Sequence, residues 1–126
     1  MDTSRRADKT ILVVDDADDL RAIYVAGLVM VGYKVVAAES GVAALAQLGQ
    51  KKVDAILTDL WMPRMTGAAM ASAIRADARH QHIPITLVSA VPPETVDWSL
   101  FECVLRKPCS LEDVIETVDL MCFSAD

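Results

Sequence analysis

Ile11-Leu12-Val13-Val14-Asp15-Asp16 is the stretch that decides the fold. Four apolar, mostly β-branched residues run without interruption into two acids. That pattern suits a strand buried on both faces better than one alternating between core and solvent. The design recurs three times: Ala55-Ile56-Leu57-Thr58 runs into Asp59, Ile85-Thr86-Leu87-Val88 into Ser89, and Val104-Leu105-Arg106 into Lys107-Pro108. Strands covered on both sides belong to parallel sheets, whose ligands sit beyond the strands' carboxyl ends. Three carboxylates, a hydroxyl and an ammonium are therefore expected at one end of one sheet. Such a set can hold a divalent cation and move a phosphoryl group.

Between these runs lie helical patterns. A helix is expected over residues 18–31, with Asp18 and Asp19 near its positive end and Gly32 as its stop. A strand over 34–38 follows, then a helix opened by Ser40-Gly41 with Val42, Leu45 and Leu48 at helical spacing. The third strand is expected over 53–58. Pro63 and Thr66-Gly67 mark a loop and the cap of a helix over about 66–76, and the polar link 77–82 leads to Pro84 and the fourth strand. A fifth strand covers about 102–106. Ser110 with Asp113 fits a capping box, and Leu111, Val114, Ile115, Val118 and Cys122 make one apolar stripe. Alternating strands and helices predict an α/β sheet with right-handed crossovers. Pro92-Pro93 forbid helix in the fourth crossover and leave only 94–100 for a shortened one. Residues 1–9 read as a flexible N-terminal tail.

At 126 residues the chain fits one domain with a real core. Its net charge of −6, from 12 basic and 18 acidic residues, argues against nonspecific binding to nucleic acid or anionic membrane. Cys103, Cys109 and Cys122 match no metal spacing and read as free thiols of a reducing compartment. No signal-peptide hydrophobic segment is present, and the apolar stretch 22–33 is too short to cross a bilayer, so a cytoplasmic location is expected. Neither a phosphate-binding Gly-Lys loop nor a dinucleotide Gly fingerprint occurs. His80 and His82 read as surface residues; Met62, Met65 and Met70 read as packing.

Taken together in order and spacing, Val13-Val14-Asp15-Asp16, Gly32-Tyr33, Asp59-Leu60-Trp61-Met62-Pro63-Arg64-Met65-Thr66-Gly67, Ile83-Pro84-Ile85 with Ser89-Ala90, and Lys107-Pro108 carry a family likeness. Over residues 10–122 the chain resembles the receiver domain of two-component response regulators, of the chemotaxis-regulator type. The resemblance implies a flavodoxin-like, doubly wound, five-stranded parallel sheet of order 2-1-3-4-5, here with helix four shortened. It implies a receiver domain at 10–123. Since the sequence carries no DNA-binding or catalytic segment after it, no output domain is expected unless the chain is a fragment of a longer protein. Asp59 would be the phosphoacceptor, taking a phosphoryl group from a histidine kinase or a histidine phosphotransfer protein. Asp16, Asp59 and the Trp61 carbonyl would ligate Mg²⁺ directly, and Asp15 would act through a bound water. Ser89 and Lys107 would contact the phosphoryl oxygens, and a cis peptide would precede Pro108. Such a domain is no turnover enzyme; it assists its own phosphorylation and dephosphorylation and signals through protein contacts.

Independent physics agrees, because crowded carboxylates need a cation or a proton, and phosphoryl transfer asks mainly for positioning and charge neutralisation. The chain also departs from the family. The strand-five switch position, usually aromatic, is Val104. The first helix carries Ala22, Val25, Ala26, Val29, Met30 and Val31 where charge is common, a candidate interface for a homodimer or a docked kinase helix. Trp61 and Val91, two past Asp59 and Ser89, are expected at the rim of the site, where they would restrict water. Two other readings remain open. One is a phosphorylation-independent scaffold; the other is a haloacid-dehalogenase-type phosphatase, for which Trp61 occupies the place of a required second Asp.

Overall fold

The computed structural model describes residues 3–90 and 94–123. Strands β1 (Thr10–Val14), β2 (Lys34–Ala38), β3 (Ala55–Asp59), β4 (Ile85–Ser89) and β5 (Cys103–Arg106) form one parallel sheet. Its order is β2-β1-β3-β4-β5, the doubly wound flavodoxin-like arrangement that the sequence predicts. The helices are α1 (Thr3–Arg6), α2 (Asp18–Met30), α3 (Gly41–Leu48), α4 (Gly67–Arg75) and α5 (Leu111–Phe123). Successive strand residues point to opposite faces. Ile11, Val13, Leu57 and Val88 pack under α2 and α5, while Leu12, Val14, Ile56 and Leu87 pack under α3 and α4. Both faces of β1, β3 and β4 are thus consumed, whereas β5, read from the sequence as equally buried, is the sheet's edge strand and leaves Val104 and Arg106 exposed.

Local chemistry sets the helix ends. At the end of α2, Gly32 (φ +113°) takes a conformation that side chains disfavour. Its N–H bonds Val29 O and that of Tyr33 bonds Leu28 O, the paired closure of a Schellman motif. Ser40 and Thr66 cap α3 and α4 by accepting from the N–H groups of Ala43 and Ala69. Ser110 and Asp113 form the reciprocal capping box at α5.

Two regions depart from the sequence reading. Residues 3–9, read as a tail, contain a helical turn and a buried arginine. Arg6 donates to both carboxylate oxygens of Asp119, at 3.0 and 2.7 Å, and to the Val31 carbonyl at 3.2 Å. The Tyr33 hydroxyl donates to the same carboxylate. Burial pushes the Asp119 carboxyl up, but Arg6 and Tyr33 outweigh it and hold it below the usual range. The partners lie 113 positions apart, so no local pattern reveals them.

The second region is the fourth crossover. Val91, Pro92 and Pro93 lie outside the described residues. Among the residues that follow, the only helical piece before β5 is the 3₁₀ turn Trp98–Leu100, less than the stub expected over 94–100. Arg75, at the end of α4, ties this segment down. Its guanidinium donates to the carbonyls of Leu100, Gln81 and Ile83 and pairs with Glu102 at 2.7 Å. Glu102 in turn accepts the Ile85 N–H, so its carboxylate joins α4, β4 and the entry to β5.

Candidate functional site

Register brings the predicted residues together. Val14 pairs with Thr58, Asp59 with Val88 and Ser89 with Arg106, so the carboxyl ends of β1, β3, β4 and β5 form one edge. Asp15 and Asp16 follow β1, Asp59 closes β3, Ser89 closes β4, and Lys107 follows β5. The Asp15 N–H bonds Ala38 O, and the Lys107 N–H bonds Ser89 O, which extends the ladder to two of the predicted site residues. The Lys107–Pro108 peptide is cis, as the family resemblance implies.

The side chains converge. One carboxylate oxygen from each of Asp15, Asp16 and Asp59 lies within 4.8 Å of the others. Lys107 Nζ stands 3.2 Å from Asp59 Oδ1 and 3.8 Å from Asp15 Oδ2. Asp15 is buried and Asp16 exposed. Asp59 is less open than its position at a strand end suggests, with 12% of its side chain exposed. Burial raises the Asp15 carboxyl above its ordinary value, and the charges of Asp59 and Asp16 add to that; the Ala17 N–H and Lys107 work against it. Three carboxylates against one ammonium leave two negative charges uncompensated. Hard oxygens in that number and charge suit Mg²⁺, which prefers a few carboxylates and keeps several waters. Beside them, Ser89 Oγ is buried and has no hydrogen-bond partner among the described residues, a donor available to an arriving oxyanion. The residues present therefore fit both a divalent cation and a phosphoryl group.

Apolar surface surrounds the site. Trp61 is 58% exposed beyond Asp59. A cleft of about 370 Å³, lined by Leu20, Tyr24, Ala90, Lys107, Pro108 and Cys109, connects the ammonium to α2. On the outer face of α2, Ala22, Ala26, Val29 and Met30 are exposed, as the sequence predicts, and Ile23 joins them. Val25 is half-buried, and Val31 turns toward the core. Val104, expected at the switch position, is exposed on β5. All three cysteines are free. His82 is exposed, but His80 is half-buried with Nδ1 3.5 Å from Asp77 Oδ2. No helix among the described residues is long and apolar enough to cross a membrane.

Sequence reasoning missed two residues that hold the site. Arg21 donates to the Asp15 carbonyl at 2.8 Å; a lone cation six positions past the acid, on an apolar helix, was the available signal. Gly67 lies directly on the Asp59 carbonyl, where a Cβ would come within 2.1 Å of the oxygen. The sequence marks it as part of a loop and cap, but not as a close approach.

Comparison with known proteins converges on one family. Residues 11–119 match the family model described as response regulator receiver domain. A two-component response regulator of Oryza sativa subsp. japonica, ORR5, is 33% identical over 112 residues, spanning 82% of this chain and 81% of its own. Among solved structures, the chemotaxis protein CheY4 of Vibrio cholerae superposes with a TM-score of 0.84 at 26% identity, covering 90% of this chain and 98% of the other. The response regulator TrrA of Thermotoga maritima, solved in complex with Mg²⁺ and BeF, gives 0.81 at 27% identity with the same coverage. With the sheet order, the acidic triad and the lysine after β5 in hand, the chain belongs to the response regulator receiver family of two-component systems.

Proposed function

We propose that the protein is a phosphate-operated relay that takes a phosphoryl group from a phosphohistidine onto Asp59 and signals through protein contacts. The observation carrying this reading is the convergence of Asp15, Asp16 and Asp59 with the Lys107 ammonium at 3.2 Å from Asp59. A carboxylate oxygen of Asp59 attacks phosphorus, and the phosphorus–nitrogen bond to the donor imidazole breaks as the new phosphorus–oxygen bond forms. Lys107 neutralises charge on the transferred group, and the Ser89 hydroxyl donates to another of its oxygens. Asp16, Asp59 and the Trp61 carbonyl would hold Mg²⁺, with Asp15 reaching it through water. When bound, the ion would offset the charge that gathers on the phosphoryl oxygens. The complex of TrrA with Mg²⁺ and BeF supports carrying these assignments to a relative.

A histidine kinase or a histidine phosphotransfer protein is the proposed donor, docking on the apolar face of α2 beside the Lys107 cleft. That face, from Ala22 to Met30, also suits a homodimer. Phosphorylation adds about −1.5 to −2 charge at the site and biases the domain between two states. With Val104 in place of a large ring and only a 3₁₀ turn described between β4 and β5, output runs through a surface other than β5 and α5. These same features favour the second reading, a scaffold independent of phosphorylation. We assign the protein to the cytoplasm, where such donors reside.

Incubation with Mg²⁺ and acetyl phosphate, followed by intact mass, tests the reading. One acid-labile phosphate is expected on the wild type and none on Asp59→Asn. No incorporation into the wild type favours the scaffold, and continuous release of inorganic phosphate favours a phosphatase. Trp61 further suggests a long-lived phosphoryl group, since the indole shields the approach of water. Trp61→Asn is expected to hydrolyse faster by roughly fivefold, about 1 kcal/mol of barrier. An unchanged decay of the phosphorylated mass would remove that role.

A further inference from the structure

Arg21 is not among the groups that would touch phosphate or metal, yet its guanidinium points back at the site. It is the fourth residue of α2, and its side chain is only 20% exposed. Nη1 donates to the Asp15 carbonyl at 2.8 Å, while Nη2 is braced by Asp18 Oδ1 at 2.7 Å. That carbonyl belongs to the peptide joining Asp15 to Asp16, a rigid planar unit. The rest of Asp15 is held separately. Its N–H bonds Ala38 O at 3.2 Å, and its carboxylate accepts the Ala17 N–H at 2.9 Å. The tilt of the Asp15–Asp16 peptide, which aims the exposed Asp16 carboxylate, is left to Arg21.

Charge alone makes this an odd place for an arginine. A permanent cation beside a cation site repels the ligand it should help to bind. A hydrogen bond that orients a ligating group from behind does the opposite. The two roles therefore predict opposite signs when Arg21 is removed.

We infer that Arg21 is a positioning residue for divalent-cation binding: it locks the Asp15–Asp16 peptide so that both carboxylates face one point beyond the strand ends. The inference rests on the magnesium reading above and assigns this chain's own arginine to it. Asp18 is part of the device, because it keeps the guanidinium fork from swinging to solvent.

Mg²⁺ titration of the full chain, followed by calorimetry, provides the test without any phosphotransfer. Arg21→Met keeps the apolar stem but loses donors and charge, and it is expected to bind Mg²⁺ about tenfold more weakly. Arg21→Lys keeps the charge but replaces the planar fork with one compact donor, so it is expected between the two. A Met variant that binds as tightly as wild type, or tighter, would overturn the inference. A Lys variant equal to wild type would overturn it as well, and it decides alone if the Met variant does not fold. A wild type without saturable Mg²⁺ binding overturns the magnesium reading itself, a result distinct from variants that all bind alike.

Discussion

Gly67→Ala is expected to slow phosphorylation of Asp59 about a hundredfold, the cost of displacing a reacting group by about 1 Å. A Cβ at position 67 would lie 2.1 Å from the Asp59 carbonyl oxygen, 3.1 Å from its carbonyl carbon and 3.2 Å from Leu60 Cα. All three atoms are backbone, so no side chain can rotate away to make room. The Gly67 N–H also bonds Leu60 O at 2.8 Å, which holds the two segments at that separation. Relief must come from moving α4 or from moving the end of β3. The helix is fixed by Met70, Ala71 and Ile74 in the core, so the end of the strand, carrying the proposed phosphoacceptor, is the part that yields. Overpacking of this kind also lowers stability by about 1–3 kcal/mol. Rates measured with acetyl phosphate, beside circular dichroism for folding, provide the check. A folded Ala variant phosphorylated at nearly the wild-type rate would show that α4 moves instead.

Arg75→Ala is the substitution expected to cost most stability. The guanidinium supplies bonds to three carbonyls and one carboxylate, and it is 21% exposed. Removing it leaves those carbonyls without this donor and the carboxylate of Glu102 without its cation. An unmade buried hydrogen bond costs about 1–3 kcal/mol, and several are lost together, though partial access of water softens the total. A loss of about 3 kcal/mol is expected, seen as a fall in Tm of roughly 10 °C. Arg75→Lys should recover only part, because an ammonium cannot reach both sides of the link. A fall of less than about 3 °C for the Ala variant would mean that the segment after β4 is held by Val96 and Phe101 in the core instead.

Much of this site was legible before any coordinates. The apolar runs named four of the five strands and the acid, hydroxyl and ammonium at their ends. Buried parallel strands impose a pattern that few other structures produce. Capping followed just as directly, since Ser40, Thr66 and the Ser110 with Asp113 pair use chemistry spanning three residues. The Asp15-Asp16 pair was weak evidence until Asp59 and Lys107 stood beside it, because adjacent acids at a strand end are common. The exposed apolar face of α2 was also readable, since helical periodicity says which side chains share a face.

What the sequence determined by itself was therefore whatever depends on near neighbours: strand and helix type, the caps, and the order in which reactive side chains reach the strand ends. Tertiary structure alone decided how those side chains are held. Arg6 finds Asp119 across the whole chain, Arg75 reaches Leu100 and Glu102 across the fourth crossover, and Gly67 meets the carbonyl of Asp59. Each is a contact between segments whose approach is set by packing, and packing leaves no periodic trace in the order of the residues.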